Sequence, residues 1–185
     1  MSKILLNNGW ISSYIKAPSP YHHPRTQNVS LIVIHSIGLP LDAPSLKDAL
    51  SLLTGCLQPN GTSLYENLSK IKVSAHFLID RQGDVYQLVS VNDVAWHCGQ
   101  SFFKGKQNCN DFSIGIELVG HVWQGFTFEQ YQKIIDLTVF LIKEYRLNID
   151  SVLGHQHISP GRKTDPGYFD WSYFKYEVAK KLILS

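Results

Sequence analysis

The sequence predicts an α+β fold: one domain over residues 1–185, with a mixed central β-sheet flanked by helices. Three observations point there. The chain has 185 residues, 44% of them apolar and 17% charged, which suits one sizeable core and argues against global disorder. Strand-like runs and helix-like periods are both present. They interleave without strict βαβ repetition, which fits a mixed sheet better than a doubly wound parallel one.

Residues 12–28 are rich in Pro, His and Ser and read as a surface loop. Leu31-Ile32-Val33-Ile34 is a β-branched apolar run, read as a strand buried on both faces and ending at His35. Segment 42–58 places Leu46, Leu50 and Leu53 at helical spacing, with Asp42 or Ser45 as cap. Gln58-Pro59-Asn60-Gly61 breaks it, and 57–71 reads as a loop. Lys72 to Val89 has the alternation of a hairpin, with Asp80-Arg81-Gln82-Gly83 as its turn. Ser113 to Val119 is a further strand, with Glu117 inside an otherwise apolar run. Thr127 to Tyr145 is the clearest helix. Thr127 and Gln130 form a capping box, and Tyr131, Ile134, Ile135, Thr138, Leu141, Ile142 and Tyr145 form its buried stripe. Asp170 caps a closing helix that buries Trp171, Phe174, Val178 and Leu182.

Composition excludes several classes. A net charge of +2, with no basic run longer than Lys180-Lys181, gives no reason to expect a nucleic-acid partner. No stretch approaches the ~20 apolar residues of a membrane span. Met1 to Trp10 lacks the apolar core of a signal peptide. Cys56, Cys98 and Cys109 are an odd set without a C-x-x-C pair and read as free thiols of a reducing compartment. The expectation is a cytoplasmic monomer. There is no H-E-x-x-H helix, G-x-S-x-G elbow or phosphate-binding G-x-x-x-x-G-K-[ST] loop, which sets aside common metalloproteases, α/β-hydrolases and P-loop NTPases.

The densest chemistry lies in Gly154 to Gly167. This stretch holds His155, His157, Arg162, Lys163 and Asp165, and its glycines and prolines argue against a regular helix or a central strand. Taken alone, His35 at a strand end is more often structural than functional. With His155 and Asp165 it makes two imidazoles and a carboxylate, a donor set that leaves a fourth tetrahedral position open, as in catalytic zinc sites. Spacing leaves open whether His155 or His157 is the ligand. Glu117 would be costly if buried without a partner. It is either half of an ion pair or a general base facing a polar cleft. Lys163 is either a solvated loop lysine or a cation that steadies an oxyanion. Asn110-Asp111-Phe112 reads as a turn at the cleft rim. Trp96-His97 with Phe102 and Phe103 could line a groove.

Five blocks now form a pattern: Val33-Ile34-His35, Val73-Ser74-Ala75-His76-Phe77-Leu78-Ile79, Ala95-Trp96-His97-Cys98-Gly99, Asn110 through Glu117, and Gly154 through Gly167. Their order resembles that of zinc-dependent N-acetylmuramoyl-L-alanine amidases, in particular the cytoplasmic AmpD type of cell-wall recycling, from about Gly9-Trp10 through Asp170-Trp171. The resemblance implies the amidase/peptidoglycan-recognition fold and Zn²⁺ held by His35, His155 and Asp165. It also implies catalytic roles for Glu117 and Lys163. The implied reaction is hydrolysis of the bond between (1,6-anhydro-)N-acetylmuramic acid and L-alanine in small muropeptides. Alternatives are an endolysin-like amidase acting on intact peptidoglycan, or a peptidoglycan-binding module without catalysis. Substrate contacts are expected at Ser36, Lys72, Trp96 and Asn108. Ser36 stands where asparagine is usual in the family, and Lys72 and Asn108 stand where arginines are common. Lys72 keeps the charge without the bidentate fork, and Asn108 loses it.

Overall fold

Seven consecutive residues, Leu31–Ile37, form the strand that organises the molecule, and the first five are buried. In the computed structural model, which describes residues 6–120, 123 and 125–184, this strand lies inside a six-stranded sheet. Numbered in chain order, the strands are β1 (Ile15–Lys16), β2 (Leu31–Ile37), β3 (Phe77–Ile79), β4 (Val85–Gln87), β5 (Ser113–Val119) and β6 (Val152–Gly154). Their spatial order is β6-β2-β5-β3-β4-β1. Four neighbouring pairs are parallel and only β3–β4 is antiparallel, so the sheet is mixed as expected.

The continuous apolar sequence of β2 and β5 follows from burial on both faces. One face carries Ile32, Ile34, Ile114, Ile116 and Leu118, which pack with Phe77, Ile134, Leu141, Phe174 and Val178. Phe77 belongs to β3, and the other four belong to helices α3 (Phe128–Tyr145) and α5 (Trp171–Leu184). The opposite face carries Leu31 and Val33, which pack with Cys98, Cys109, Phe112 and Ile158. Helix α1 (Leu46–Leu53) covers part of that side through Ala49 and Leu53.

The expected helices are present with trimmed ends. Helix α1 is capped by Ser45, whose hydroxyl accepts from the Asp48 N–H. The 127–145 helix has its capping box: Thr127 Oγ1 accepts from Gln130 N at 3.2 Å, and Gln130 Oε1 accepts from Thr127 N at 3.1 Å. Gln130 is fully buried because its Nε2 also donates to the carbonyls of Ile79 and Val119, closing the ends of β3 and β5. Tyr131 and Tyr145 of the expected stripe are only partly buried, and Leu137 is buried instead. Asp170 caps α5 by accepting from Tyr173 N at 2.9 Å.

Three expectations are corrected. The 57–71 segment holds a short helix, α2 (Ser63–Leu68), capped by Thr62; six residues are too few to show a helical period. Residues 12–28 include β1 and a short strand, His22–Pro24, paired with Asp93–Ala95. The glycine-rich stretch after β6 begins with a single helical turn, α4 (His155–Ile158), where irregular chain was expected. The Met1–Trp10 stretch is described only from Leu6 onward, and its first five residues lie outside the described residues.

Candidate active site

His35 and Glu117 are register partners on adjacent parallel strands, so both side chains leave the same face of the sheet. Val33 and Gly115 precede them on that face. Here the apolar layer gives way to polar groups at the C-terminal ends of β2 and β5. Helical turn α4, at the end of edge strand β6, brings His155 to the same place. The chain then turns at 159–163, where both Arg162 N and Lys163 N donate to the Ser159 carbonyl. It returns with Asp165, whose carbonyl accepts from Gln156 N at 2.9 Å.

These elements bring three donor atoms together. His35 Nδ1 lies 3.0 Å from His155 Nδ1 and 3.2 Å from Asp165 Oδ2, and His155 Nδ1 lies 3.1 Å from the same oxygen. Zinc bonds of about 2.0–2.2 Å in a tetrahedral array place neighbouring ligand atoms ~3.3 Å apart. The outward nitrogens are engaged elsewhere. His155 Nε2 sits 2.9 Å from the Cys98 carbonyl, which can only accept, so that nitrogen carries the proton and Nδ1 keeps its lone pair. His35 Nε2 sits 2.9 Å from His97 Nδ1. Three converging lone-pair atoms repel one another unless a cation lies among them, and the donor set suits zinc.

The electrostatics agree. Burial lowers the pKa of His35 to about 4, so its ring is neutral, as a ligand must be. Burial alone would push the Asp165 carboxyl up. The two imidazoles facing it outweigh that and hold it well below the usual carboxylate range. Glu117 is different. Burial, reinforced by the charge of Asp165, pushes its carboxyl well above the ordinary value, against a downward pull from Lys163. Its Oε2 is buried without a hydrogen-bond partner among the described residues. Lys163 itself is exposed on the loop and close enough for its charge to act on both Glu117 and His35. A buried, elevated carboxyl beside three donors that could hold a cation is suited to exchanging protons with a substrate.

Geometry separates the two loop histidines. His157 Nδ1 accepts from Gly154 N at 2.9 Å, and its ring packs on Trp171, so it closes the helical turn and faces away from the triad. A second donor group, His35 with His97 and Cys98, meets the distance condition for a metal. It is the weaker candidate for a reaction centre, because all three of its members are buried, whereas Asp165 keeps the first group partly open.

Of the expected substrate contacts, Ser36 is not brought to the face of the triad. The period of two along β2 turns its side chain to the opposite face from His35, where its hydroxyl is buried without a partner. Lys72 is exposed in the segment leading into β3. Trp96 stacks on Tyr21, with ring centroids 5.9 Å apart, and its Nε1 donates to His23 Nδ1. Asn108 takes a left-handed φ of 56° and lines a cavity of about 640 Å³ with Phe102, Ser159 and Arg162. Sequence reasoning missed Arg162, whose Nη2 donates to the carbonyls of Cys98 and Gln100 at 2.7 Å each. It also treated Asn110 as rim only. Asn110 Oδ1 in fact accepts from the backbone N–H of both His97 and Cys98.

Comparison with known proteins places this arrangement. Residues 25–168 match the family described as N-acetylmuramoyl-L-alanine amidase. The 1,6-anhydro-N-acetylmuramyl-L-alanine amidase AmpD of Citrobacter freundii is 40% identical over 175 residues, covering 93% of this chain and 94% of that protein. A crystal structure of a selenomethionine derivative of AmpD superimposes with a TM-score of 0.89 at 40% identity, over 94% of this chain and 99% of its own. The E. coli amidase AmiD, in complex with anhydro-N-acetylmuramic acid-L-Ala-D-gamma-Glu-L-Lys, superimposes with a TM-score of 0.66 at 26% identity, over 94% of this chain and 65% of its own. With a family match over most of its length, and two imidazoles, a carboxylate and a buried glutamate gathered at one end of its sheet, the chain belongs to the N-acetylmuramoyl-L-alanine amidases.

Proposed function

We propose that this chain is a single amidase domain, over 1–185, that hydrolyses the amide between (1,6-anhydro-)N-acetylmuramic acid and L-alanine in muropeptides. The single observation that carries the reading is the convergence of His35 Nδ1, His155 Nδ1 and Asp165 Oδ2 on the face from which Glu117 emerges. His35, His155 and Asp165 would hold Zn²⁺. When bound, zinc supplies Lewis-acid polarisation of the scissile carbonyl and lowers the pKa of water.

The chain's own residues do the rest. Glu117 takes a proton from the attacking water as the new C–O bond forms at the lactyl carbonyl carbon. It then passes that proton to the alanine nitrogen as the C–N bond breaks, releasing a free amine and a carboxylic acid. Lys163 offers its ammonium to the negative charge that develops on the carbonyl oxygen. Trp96 would border the sugar-peptide groove. Lys72 and Asn108 would meet the stem peptide, with Asn108 opening onto the cavity that Arg162 lines. The free thiols of Cys56, Cys98 and Cys109 fit a reducing, cytoplasmic setting, where a monomer would act on soluble wall fragments.

The test is mass-spectrometric detection of stem-peptide release from a soluble anhydromuropeptide and from intact sacculi, each with zinc and with chelator. Chelator-sensitive release from the soluble fragment supports the recycling reading. Preferential release from sacculi makes the chain a wall-lytic amidase, and tight binding without cleavage by zinc-loaded protein makes it a recognition module.

A further inference from the structure

His97 and Cys98 are consecutive, and each meets one of the two candidate ligand imidazoles on its outward nitrogen. The His97 ring meets His35, Nδ1 to Nε2, at 2.9 Å and nearly perpendicular, with an interplanar angle of 89°. The Cys98 carbonyl accepts from His155 Nε2 at 2.9 Å. The pair is held in turn. Asn110 Oδ1 accepts both of its backbone N–H groups, at 3.0 and 2.8 Å. Gly115 of β5 leaves room for the ring, since a Cβ there would lie 2.5 Å from His97 Cγ and Nδ1. His97 Nε2 lies 3.2 Å from Ser113 Oγ, and Arg162 Nη2 adds a second hydrogen bond to the Cys98 carbonyl.

We infer that His97 and Cys98 are a single positioning element that fixes the tautomer and angle of both metal-facing imidazoles, through the His97 ring on His35 and the Cys98 carbonyl on His155. The inference rests on the zinc centre proposed above. The direction of each hydrogen bond follows. His35 presents its Nδ1 lone pair to the triad, so its proton sits on Nε2 and is donated to His97 Nδ1. His97 then carries its own proton on Nε2, facing Ser113 Oγ. Outer hydrogen bonds of this kind orient metal ligands and raise their basicity.

The probe is zinc alone, titrated against a chromophoric chelator, together with the visible spectrum of the cobalt-loaded protein. His97→Phe keeps a ring without the acceptor. His97→Asn keeps an acceptor oxygen near the place of Nδ1. Phenylalanine is expected to weaken zinc binding about 10- to 100-fold and shift the cobalt bands. Asparagine is expected to restore most of the affinity. Ser113→Ala, a small change that leaves both rings in place, is expected to weaken binding in the same direction by a few-fold. It carries the test if the phenylalanine variant does not fold. Wild-type affinity in His97→Phe, or equal losses in the Phe and Asn variants, overturns the inference. Asp165→Ala is the separate control: if it binds zinc as wild type does, the proposed metal centre is itself wrong.

Discussion

Glu117 combines three conditions that a surface carboxylate never meets together: it is buried, one oxygen lacks a partner, and a second carboxylate lies near it. Such a group is expensive unless its charge is used. Glu117→Gln removes the proton acceptor while keeping the volume, so zinc content is expected to stay at wild-type level and turnover to fall about 10²- to 10⁴-fold. Metal analysis beside a turnover assay checks both halves. Gly115 is the complementary case. A methyl group there must displace the His97 ring, and Gly115→Ala is expected to cost about 1–3 kcal/mol in a urea melt. An unchanged midpoint would show that the ring has slack. As candidates, His35, Asp165, Glu117 and the pair His155 and His157 were legible from residue type and context. Resemblance favours His155 over His157, and the hydrogen bond that commits His157 to Gly154 supports the same reading. The face that Ser36 takes was not legible, because position in a motif says nothing of which face of a strand a side chain takes.

Among the elements, α3 shows how one local signal carries long-range work. Its capping box was readable as Thr127 with Gln130. The same Gln130 amide also binds the last carbonyls of β3 and β5, a contact that joins residues 51 and 11 apart in sequence. Thr127→Ala removes the cap and the hydroxyl's hydrogen bond to the Arg81 carbonyl, and is expected to cost about 1 kcal/mol. Gln130→Ala removes the cap's second half and leaves two buried carbonyls open, so a larger loss is expected. Equal unfolding free energies for the two variants would contradict the bridging role of Gln130. The strands β2 and β5 and the helices α1, α3 and α5 were legible because each is long enough to show its period or its caps. Helix α2 and turn α4 were not, since six and four residues carry too little pattern and are stabilised by their surroundings.

For the molecule as a whole, acid stability is the informative variable. His76 is fully buried. Its Nδ1 accepts from Gly115 N, and its Nε2 meets the Asp93 carbonyl and Arg25. Burial, aided by the Arg25 charge, lowers its pKa to about 3. The unfolded chain takes up a proton below about pH 6.5 that the folded protein refuses, so His76 gives full stability above that pH and loses it progressively toward pH 3. By pH 5 the loss from this one residue is about 2 kcal/mol. His76→Asn can still accept from Gly115 N but does not titrate. The gap in unfolding free energy between zinc-free wild type and variant should therefore narrow by that amount between pH 8 and pH 5. A gap that does not change with pH would mean that His76 is charged, or solvated, in the folded state.

Residue order alone settled the class of fold, the main strands and helices, and the short list of groups able to bind a metal or move a proton. These depend on local periodicity and on residue chemistry, both of which are written along the chain. It could not decide the faces, the pairings and the outer hydrogen bonds: that Glu117 lies beside His35, that Ser36 turns away, and that His97, Asn110 and Arg162 brace the site. Those depend on strand register and on which loops meet at the C-terminal edge of the sheet. Contacts between residues some 60 to 130 positions apart leave no periodic trace in the sequence and exist only once the core of β2 and β5 has closed.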